Sequence, residues 1–174
     1  QMTEASGGIE RHGGELAVAV AAQYGVNTMF TLSGAHVFPL YDAAVQANPP
    51  LHLVDVRHEQ TAVFAAEATG KLTRTPGLAV LTAGPGVTNG ISALTSAYVN
   101  GAPVMVLAGR APQYRWGSGS LQEIDHLPLV RAVTKRAETV FTTAELAARV
   151  RDAAALALRP HRGQVATELW SHDA

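Results

Sequence analysis

Residues 77–109 read GLAVLTAGPGVTNGISALTSAYVNGAPVMVLAG and contain two almost wholly apolar runs on either side of a polar-faced segment. The runs are GLAVLT (77–82) and APVMVLAG (102–109), and the segment between them, VTNGISALTSAYVN (87–100), has helical length. Strands without polar alternation are typical of parallel sheets whose two faces are both covered by helices. This stretch therefore predicts a strand, a helix and a second strand parallel to the first.

The same alternation continues in both directions from this unit. Before this unit, the sequence predicts helices over 13–25, 36–47 and 59–72 and strands over 27–32 and 51–56. After it, the sequence predicts a helical turn at 127–132 and a helix at 143–158. It also predicts strands at 133–140 and 164–170. Repeated strand–helix units fold right-handedly onto one sheet. We therefore predict an α/β fold of three αβα layers, with a mostly parallel central sheet of about six strands.

Composition limits the function classes. The chain has 174 residues, is 47% hydrophobic, carries a formal net charge of −1 and has no cysteine. Scattered basic residues do not form the footprint of a nucleic-acid partner, and no apolar run reaches the roughly 20 residues that span a membrane. We expect one domain over residues 1–174, a cytoplasmic location, and no nucleic-acid or membrane partner. Residues 1–8 are interpreted as a tag scar or a flexible arm.

Several predicted strands end in glycines or ionisable side chains. Ligands of parallel sheets bind beyond the carboxyl ends of the strands. The groups at these ends are Ser33-Gly34-Ala35-His36, Arg57-His58-Glu59, Thr82-Ala83-Gly84-Pro85-Gly86, and Arg110 with the long loop that follows it. The sequence therefore predicts one ligand site shared by these loops.

Glu59 is the strongest chemical signal at this edge. A carboxylate in the first turn of a helix is stabilised by the helix dipole, and this role alone would explain most such glutamates. After Gln60 the helix continues Thr-Ala-Val-Phe-Ala-Ala (61–66), which must pack, so we expect the carboxyl group of Glu59 to lie in a partly dry cleft. Burial favours the protonated form of a carboxyl group, which could donate a hydrogen bond to a ring nitrogen.

His36 begins a predicted helix, where a charged imidazole is disfavoured. A neutral acid–base histidine is one interpretation, and a capping or packing histidine is the other. The remaining histidines show no ligand spacing, and no metal site is predicted. The residues interpreted as ordinary surface or loop histidines are His12, His52, His126, His161 and His172, and Asp42 and Glu67 are interpreted as solvated helix residues.

The turn at residues 84–89 (GPGVTN) partly matches a dinucleotide-binding fingerprint. It follows a strand and opens a helix, but Asn89 stands in place of the third glycine and no acidic residue ends the next strand. The alternative is a tight turn that lets backbone approach a flat ligand closely. Nicotinamide binding is therefore kept as a minor hypothesis.

Three motifs together resemble one enzyme family. They are Arg57-His58-Glu59, Thr82-Ala83-Gly84-Pro85-Gly86-Val87-Thr88-Asn89, and Leu121-Gln122-Glu123-Ile124-Asp125. Over about residues 13–169 the chain resembles the N-terminal, pyrimidine-binding domain of thiamine-diphosphate enzymes. The group it resembles contains the acetolactate synthases, benzaldehyde lyase and the 2-hydroxyacyl-CoA lyases.

The resemblance implies a cofactor and residue roles. In the family, the glutamate matching Glu59 binds a nitrogen of the cofactor's aminopyrimidine, which promotes an ylide that attacks a 2-keto acid or 2-hydroxy ketone carbonyl. The resemblance implies that Glu59, His36 and Gln122 are catalytic, with Gln122 on the substrate side. The implied cofactor-binding residues are Glu59, Gly34, Thr82, Gly84, Pro85 and Asn89.

The resemblance leaves two reaction branches open. The loop Gly34-Ala35-His36 resembles the lyases, in which the matching histidine is an acid–base, whereas synthases usually carry Pro-Gly-Gly-Ala there. Residues 39–43 (PLYDA) resemble the synthases, but Leu121 stands where synthases typically have Phe. The implied activity is acetolactate-synthase-like carboligation of 2-keto acids. The alternative is cleavage of a carbon–carbon bond in a 2-hydroxyacyl-CoA or benzaldehyde-type lyase.

The resemblance also implies parts that this sequence does not contain. Family members hold the diphosphate through Mg²⁺ at a Gly-Asp-Gly motif in a C-terminal domain, and this sequence has no Gly-Asp-Gly. We therefore expect an excised N-terminal domain that is inactive alone, from a homodimer or tetramer whose middle domain could carry FAD. A non-catalytic α/β assembly module is the further alternative.

Overall fold

Strands and helices alternate through residues 12–159 and 164–168, which are the residues that this computed structural model describes; for 164–168 it describes the backbone. The prediction for residues 1–8 lies outside this part of the chain. The helices are α1 (Gly13–Gln23), α2 (Phe38–Gln46), α3 (Glu59–Thr73), α4 (Pro85–Asn100), α5 (Leu127–Val130) and α6 (Thr143–Leu158). The strands are β1 (Thr28–Thr31), β2 (His52–Asp55), β3 (Gly77–Leu81), β4 (Val104–Ala108), β5 (Arg136–Thr139) and β6 (Gln164–Glu168).

The strands form one parallel sheet in the order β2-β1-β3-β4-β6-β5. The two apolar strands lie side by side at its centre, with Gly77 opposite Val104 and Leu81 opposite Ala108. Every residue of both strands is buried. The predicted fold class is confirmed, because six strands of the described chain make a parallel sheet between two helical layers.

Alternate side chains of the central strands build the two halves of the core. Leu78 and Val80 of β3 pack in the cluster that includes α1, α2 and α6. Ala79 and Leu81 point the other way, into the cluster that includes α3 and α4. A strand with this arrangement has no solvent-facing side, which explains its lack of polar residues. In the part of the chain that the structure describes, no helix is long and apolar enough to cross a membrane.

Helix α3 packs closely against its neighbours, as the small residues in its sequence predict. Val63, Ala66 and Gly70 are buried, and a Cβ added at Gly70 would lie 2.4 Å from the carbonyl oxygen of Pro103. The interpretation of Glu67 as a solvated residue was wrong, because it is only 5% exposed. Its Oε1 accepts hydrogen bonds from Lys71 Nζ at 2.7 Å and from Asn100 Nδ2 of α4 at 2.9 Å.

Two helices begin at other residues than the sequence predicts. Helix α4 begins at Pro85, two residues before the predicted start, because proline needs no hydrogen-bond partner for its nitrogen in a first turn. The helix predicted over 36–47 divides into a 3₁₀ turn, Ala35–Val37, and α2. Both differences lie at the carboxyl ends of strands, where the candidate site is built.

The order of the strands reverses between β1 and β3. The chain leaves β1 for α2 in one helical layer, and it leaves β3 for α4 in the opposite layer. The two connections therefore run to opposite faces of the sheet, and the strand order reverses at this point of its carboxyl edge. Ligands of such sheets bind at this kind of switch point.

Candidate functional site

The loops after β1 and β3 touch through Gly34 and Thr82. The backbone of Gly34 is extended, with φ of −167°, so any residue could adopt its conformation. A Cβ at this position, however, would lie 2.2 Å from both Cβ and Oγ1 of Thr82. Glycine is therefore required here for close approach of the two loops.

His36 bridges three loops of the site. The side chain is 8% exposed; its Nδ1 lies 3.1 Å from Thr82 Oγ1 and its Nε2 lies 3.2 Å from the carbonyl oxygen of Leu121. A carbonyl oxygen can only accept, so Nε2 carries the hydrogen and, in the neutral ring, Nδ1 accepts from the Thr82 hydroxyl. His36 thereby links the β1 loop to the β3 loop and to the long loop after β4.

The surroundings of His36 favour its neutral form. Burial lowers the pKa of the imidazole below its usual 6.5, and the hydrogen bond to Leu121 opposes this shift only in part. A neutral ring belongs to one of the two interpretations of His36, and burial favours that ring without deciding between them. His36 lies in a 3₁₀ turn, and burial replaces the helix terminus as the main cause.

Glu59 begins α3 and is sheltered from solvent. It is 8% exposed, and its Oε2 accepts a hydrogen bond from Asn89 Nδ2 of α4 at 2.9 Å. A Cβ added at Gly86 would lie 3.8 Å from Glu59 Oε1, so the carboxyl group lies against the first turn of α4. The expected partly dry position of this carboxyl group is confirmed, and Asn89 fixes its orientation.

Gly84 turns the chain from β3 into α4. Its φ of +62° lies in the left-handed region that favours glycine. Its N–H donates to Nε2 of His126 at 2.7 Å, and the His126 side chain is 0% exposed. The interpretation of His126 as an ordinary surface or loop residue was therefore wrong. The two residues are 42 positions apart, so no local spacing in the sequence signals their contact.

Gln122 lies on the long loop that covers this turn. It is exposed and has a left-handed backbone, with φ of +55°. A Cβ added at Gly84 would lie 2.9 Å from Gln122 Cβ, so the loop backbone packs directly on the glycine turn. Gln122 therefore presents its side chain at the rim of the site.

A crevice of about 240 Å³ lies beside His36 under the same loop. It is lined by Ala35, His36, Pro112, Tyr114, Arg115, Ser120 and Leu121. The base of the loop is anchored by Arg110, whose guanidinium carbon lies 3.7 Å from the centre of the Trp116 ring. The loop thus lines a cavity, as its length predicts.

The structure brings the predicted site residues to one edge of the sheet. Glu59, Thr82, Gly84 and His36 are buried there, whereas Pro85, Asn89 and Gln122 are exposed at its rim. Within the described residues, no group of three or more His, Asp or Glu side chains could hold a metal ion. A dry carboxyl group, a glycine turn that admits close backbone approach and a neutral imidazole suit a flat heterocycle with polar ring atoms.

The chain matches the family described as "Thiamine pyrophosphate enzyme, N-terminal TPP binding domain" over residues 11–148. It belongs to this family. Thiamine pyrophosphate is another name for thiamine diphosphate, so the resemblance drawn from the three motifs is confirmed. At the Gly34, Gly84 and Gly86 positions an added Cβ would collide with Thr82 or Gln122, so glycine lets the loops of this edge pack directly on one another.

Acetolactate synthases and 2-hydroxyacyl-CoA lyases are among the curated relatives of this thiamine-diphosphate-binding domain. It is 53% identical over 128 residues to a probable acetolactate synthase of Mycobacterium bovis, covering 74% of this chain and 23% of that protein. It is 42% identical over 159 residues to 2-hydroxyacyl-CoA lyase 2 of Mus musculus, covering 91% of this chain and 25% of that protein. The chain therefore spans about a quarter of the length of the curated relatives that it matches.

Proposed function

We propose that this domain holds the aminopyrimidine ring of thiamine diphosphate, within an enzyme that forms carbon–carbon bonds between 2-keto acids. The observation that carries the proposal is the buried Glu59 carboxyl group, bonded to Asn89 and lying against the first turn of α4. When bound, the cofactor supplies the electron sink for chemistry beside a carbonyl group. The protein supplies orientation and a carboxyl group that is sheltered from water.

Glu59 is the residue proposed to bind a nitrogen of the ring. Asn89 Nδ2 occupies Oε2 of the carboxyl group and so fixes its plane. A hydrogen bond in a dry position is stronger than the same bond in water, because solvent does not compete for either partner. The Glu59 carboxyl group would therefore share a proton with one nitrogen atom of the ring. Gly34, Thr82, Gly84 and Pro85 are proposed to flank the ring.

His36 and Gln122 are proposed to act on the substrate side. The neutral imidazole of His36 keeps its proton at Nε2 by donating to Leu121, so it can exchange a proton only when that bond is released. Gln122 is exposed at the rim, where an amide could orient a carbonyl or hydroxyl group. These roles rest on the position of both residues at one edge.

The synthase branch is the first proposal, since the chain is 53% identical to a probable acetolactate synthase. The lyase branch is the second candidate. His36 favours it, because a buried neutral histidine beside a crevice suits acid–base work on a hydroxyl group. A non-catalytic assembly module would make no use of a buried Glu59.

The experiment uses the full-length protein that carries this domain, supplied with thiamine diphosphate and Mg²⁺. Pyruvate consumption and cleavage of a 2-hydroxyacyl-CoA are measured side by side, with and without His36→Ala. The synthase branch predicts the first activity, little affected by the substitution. The lyase branch predicts the second activity, reduced by about 100-fold or more. Neither activity in the unsubstituted protein would contradict the proposed function and favour the assembly module.

Further features of the full protein stay predictions. We propose that Mg²⁺ binds in another part of the protein, that FAD could occupy a middle domain, and that the assembly is a homodimer or tetramer in the cytoplasm. Metal analysis checks Mg²⁺, and the flavin absorption spectrum checks FAD. Light scattering checks the oligomeric state, and microscopy of a tagged protein checks the location.

A further inference from the structure

His126 lies fully buried at the start of α5, where its Nε2 accepts the N–H of Gly84 at 2.7 Å. A backbone amide can only donate, so Nε2 of this histidine carries no hydrogen. The ring is therefore the neutral tautomer with its hydrogen on Nδ1. Protonation at Nε2 and this hydrogen bond exclude each other.

The hydrogen bond to His126 satisfies the N–H of Gly84, for which α4 itself offers no acceptor. Gly84 is the residue that caps α4, and the amide groups at the start of a helix have no partner within it. Gly84 is buried, so its N–H also has no access to bulk water. The acceptor comes instead from a residue 42 positions away.

His126 lies at the end of the long loop that covers the site. Gln122, four positions before His126, packs on Gly84. A Cβ added at Gly84 would lie 2.9 Å from Gln122 Cβ. One position earlier, the carbonyl of Leu121 accepts from His36 Nε2. A single bond between His126 and Gly84 therefore ties the glycine turn to the segment that carries both Leu121 and Gln122.

We propose that His126 is a positioning residue, whose Nε2 holds the Gly84 turn and the Gln122 loop in one arrangement at the cofactor site. This inference rests on the proposed function, in which the Gly84 turn flanks the cofactor ring. His126 touches neither cofactor nor substrate in this account. Its contribution is a hydrogen-bond acceptor of fixed direction in a buried position.

Three substitutions distinguish the effect of losing the hydrogen-bond acceptor from the effect of losing the volume of the His126 ring. His126→Gln offers an amide oxygen at nearly the reach of Nε2, His126→Asn carries the same group one methylene shorter, and His126→Leu fills space without an acceptor. The glutamine and asparagine variants form a matched pair. They keep the proposal testable even where the leucine variant does not fold.

The test measures hydrogen–deuterium exchange in the full-length protein without cofactor, in a peptide that covers Gly84. We expect exchange of that segment to rise by about tenfold or more in the asparagine and leucine variants and to change less than about threefold in the glutamine variant. A peptide from β4 serves as the internal control for global unfolding. Equal protection in all variants, or equal loss in the asparagine and glutamine variants, would overturn the proposal.

A second measurement connects the bond to the cofactor. The KM for thiamine diphosphate is expected to rise about tenfold in the asparagine variant and to recover in the glutamine variant, with a smaller change in KM for the substrate. An unchanged cofactor KM in the asparagine variant would overturn the positioning role. A full-length protein that binds no thiamine diphosphate would contradict the proposed function instead, while the exchange result would still decide the role of His126 at Gly84.

Discussion

At the scale of single residues, His36 shows how packing sets a charge state. The ring lies between Thr82 and the carbonyl of Leu121, and burial lowers its pKa. The folded state therefore binds fewer protons than the unfolded state as pH falls towards and below 6.5. The stabilising contribution of the neutral ring is fully present above 6.5 and is lost as acid titrates the unfolded chain.

We expect the free energy of unfolding of this chain to fall as pH is lowered from about 8 to about 5.5, and His36→Gln to reduce that fall. Urea unfolding followed by circular dichroism at several pH values measures the slope. His52, which is exposed, provides the control substitution His52→Gln, expected to keep the slope of the parent. A His36→Gln slope equal to that of the parent would contradict the assignment.

The contact between Gly34 and Thr82 gives a second prediction at this scale. Gly34→Ala should lower the free energy of unfolding by about 1–3 kcal/mol, because its Cβ needs space that Thr82 fills. The neighbouring Ser33 is exposed, and Ser33→Ala should change the same quantity by less than about 0.5 kcal/mol. Equal effects of the two substitutions would show that the close approach is relaxed at little cost.

At the scale of elements, Glu67 joins α3 to α4. Burial alone would raise the pKa of its carboxyl group, but hydrogen bonds from Lys71, Asn100 and Ser96 together lower it below its usual value. Stability from this group is therefore present above the unfolded-state value of 4.5 and is lost as pH falls through the lower folded-state value.

Glu67→Gln should lower the free energy of unfolding at neutral pH by about 1–3 kcal/mol, because the charged hydrogen bonds are lost. The difference from the parent should shrink in acid, where the carboxylate of the parent is protonated. Glu145 is an exposed glutamate of α6, and Glu145→Gln should have an effect below about 0.5 kcal/mol. A pH-independent difference for Glu67→Gln would argue for packing as its only role.

Element type was predictable where one strong pattern decided it. The all-apolar runs at 78–81 and 103–108 predicted buried parallel strands, and α6 has the predicted bounds of 143–158. The position of β6 between β4 and β5 was not predictable, because strand order depends on which helices pack together. The buried states of Glu67 and His126 escaped prediction for the same reason, since their partners lie 33 and 42 positions away.

The candidate site was predictable to the level of the loops that form it. Gly34, Glu59 and Thr82 follow strand ends, and parallel strands bring such ends to one edge. The hydrogen bond of Asn89 to Glu59 and the link from His36 to Leu121 depend on how α3, α4 and the long loop pack. Such contacts leave no mark in local spacing.

At the scale of the whole molecule, the chain spans about a quarter of its curated relatives. The carboxyl edge of its sheet would cover one ring of a cofactor that also carries a diphosphate. We therefore expect this chain alone to bind thiamine diphosphate and Mg²⁺ weakly and to show no turnover. Calorimetric titration measures the affinity, and micromolar binding by the chain alone would contradict this expectation.

The most direct test of the central claim is Glu59→Gln in the full-length protein, assayed at saturating thiamine diphosphate and Mg²⁺. Glutamine keeps the size of the side chain and a hydrogen-bond acceptor for Asn89, but it cannot share a carboxyl proton with a ring nitrogen. Glu145→Gln, at an exposed position of α6 in the other helical layer, is the matched control. We predict that turnover falls by about 100-fold or more for Glu59→Gln and by less than about twofold for the control; turnover within about twofold of the parent for both variants would contradict the account.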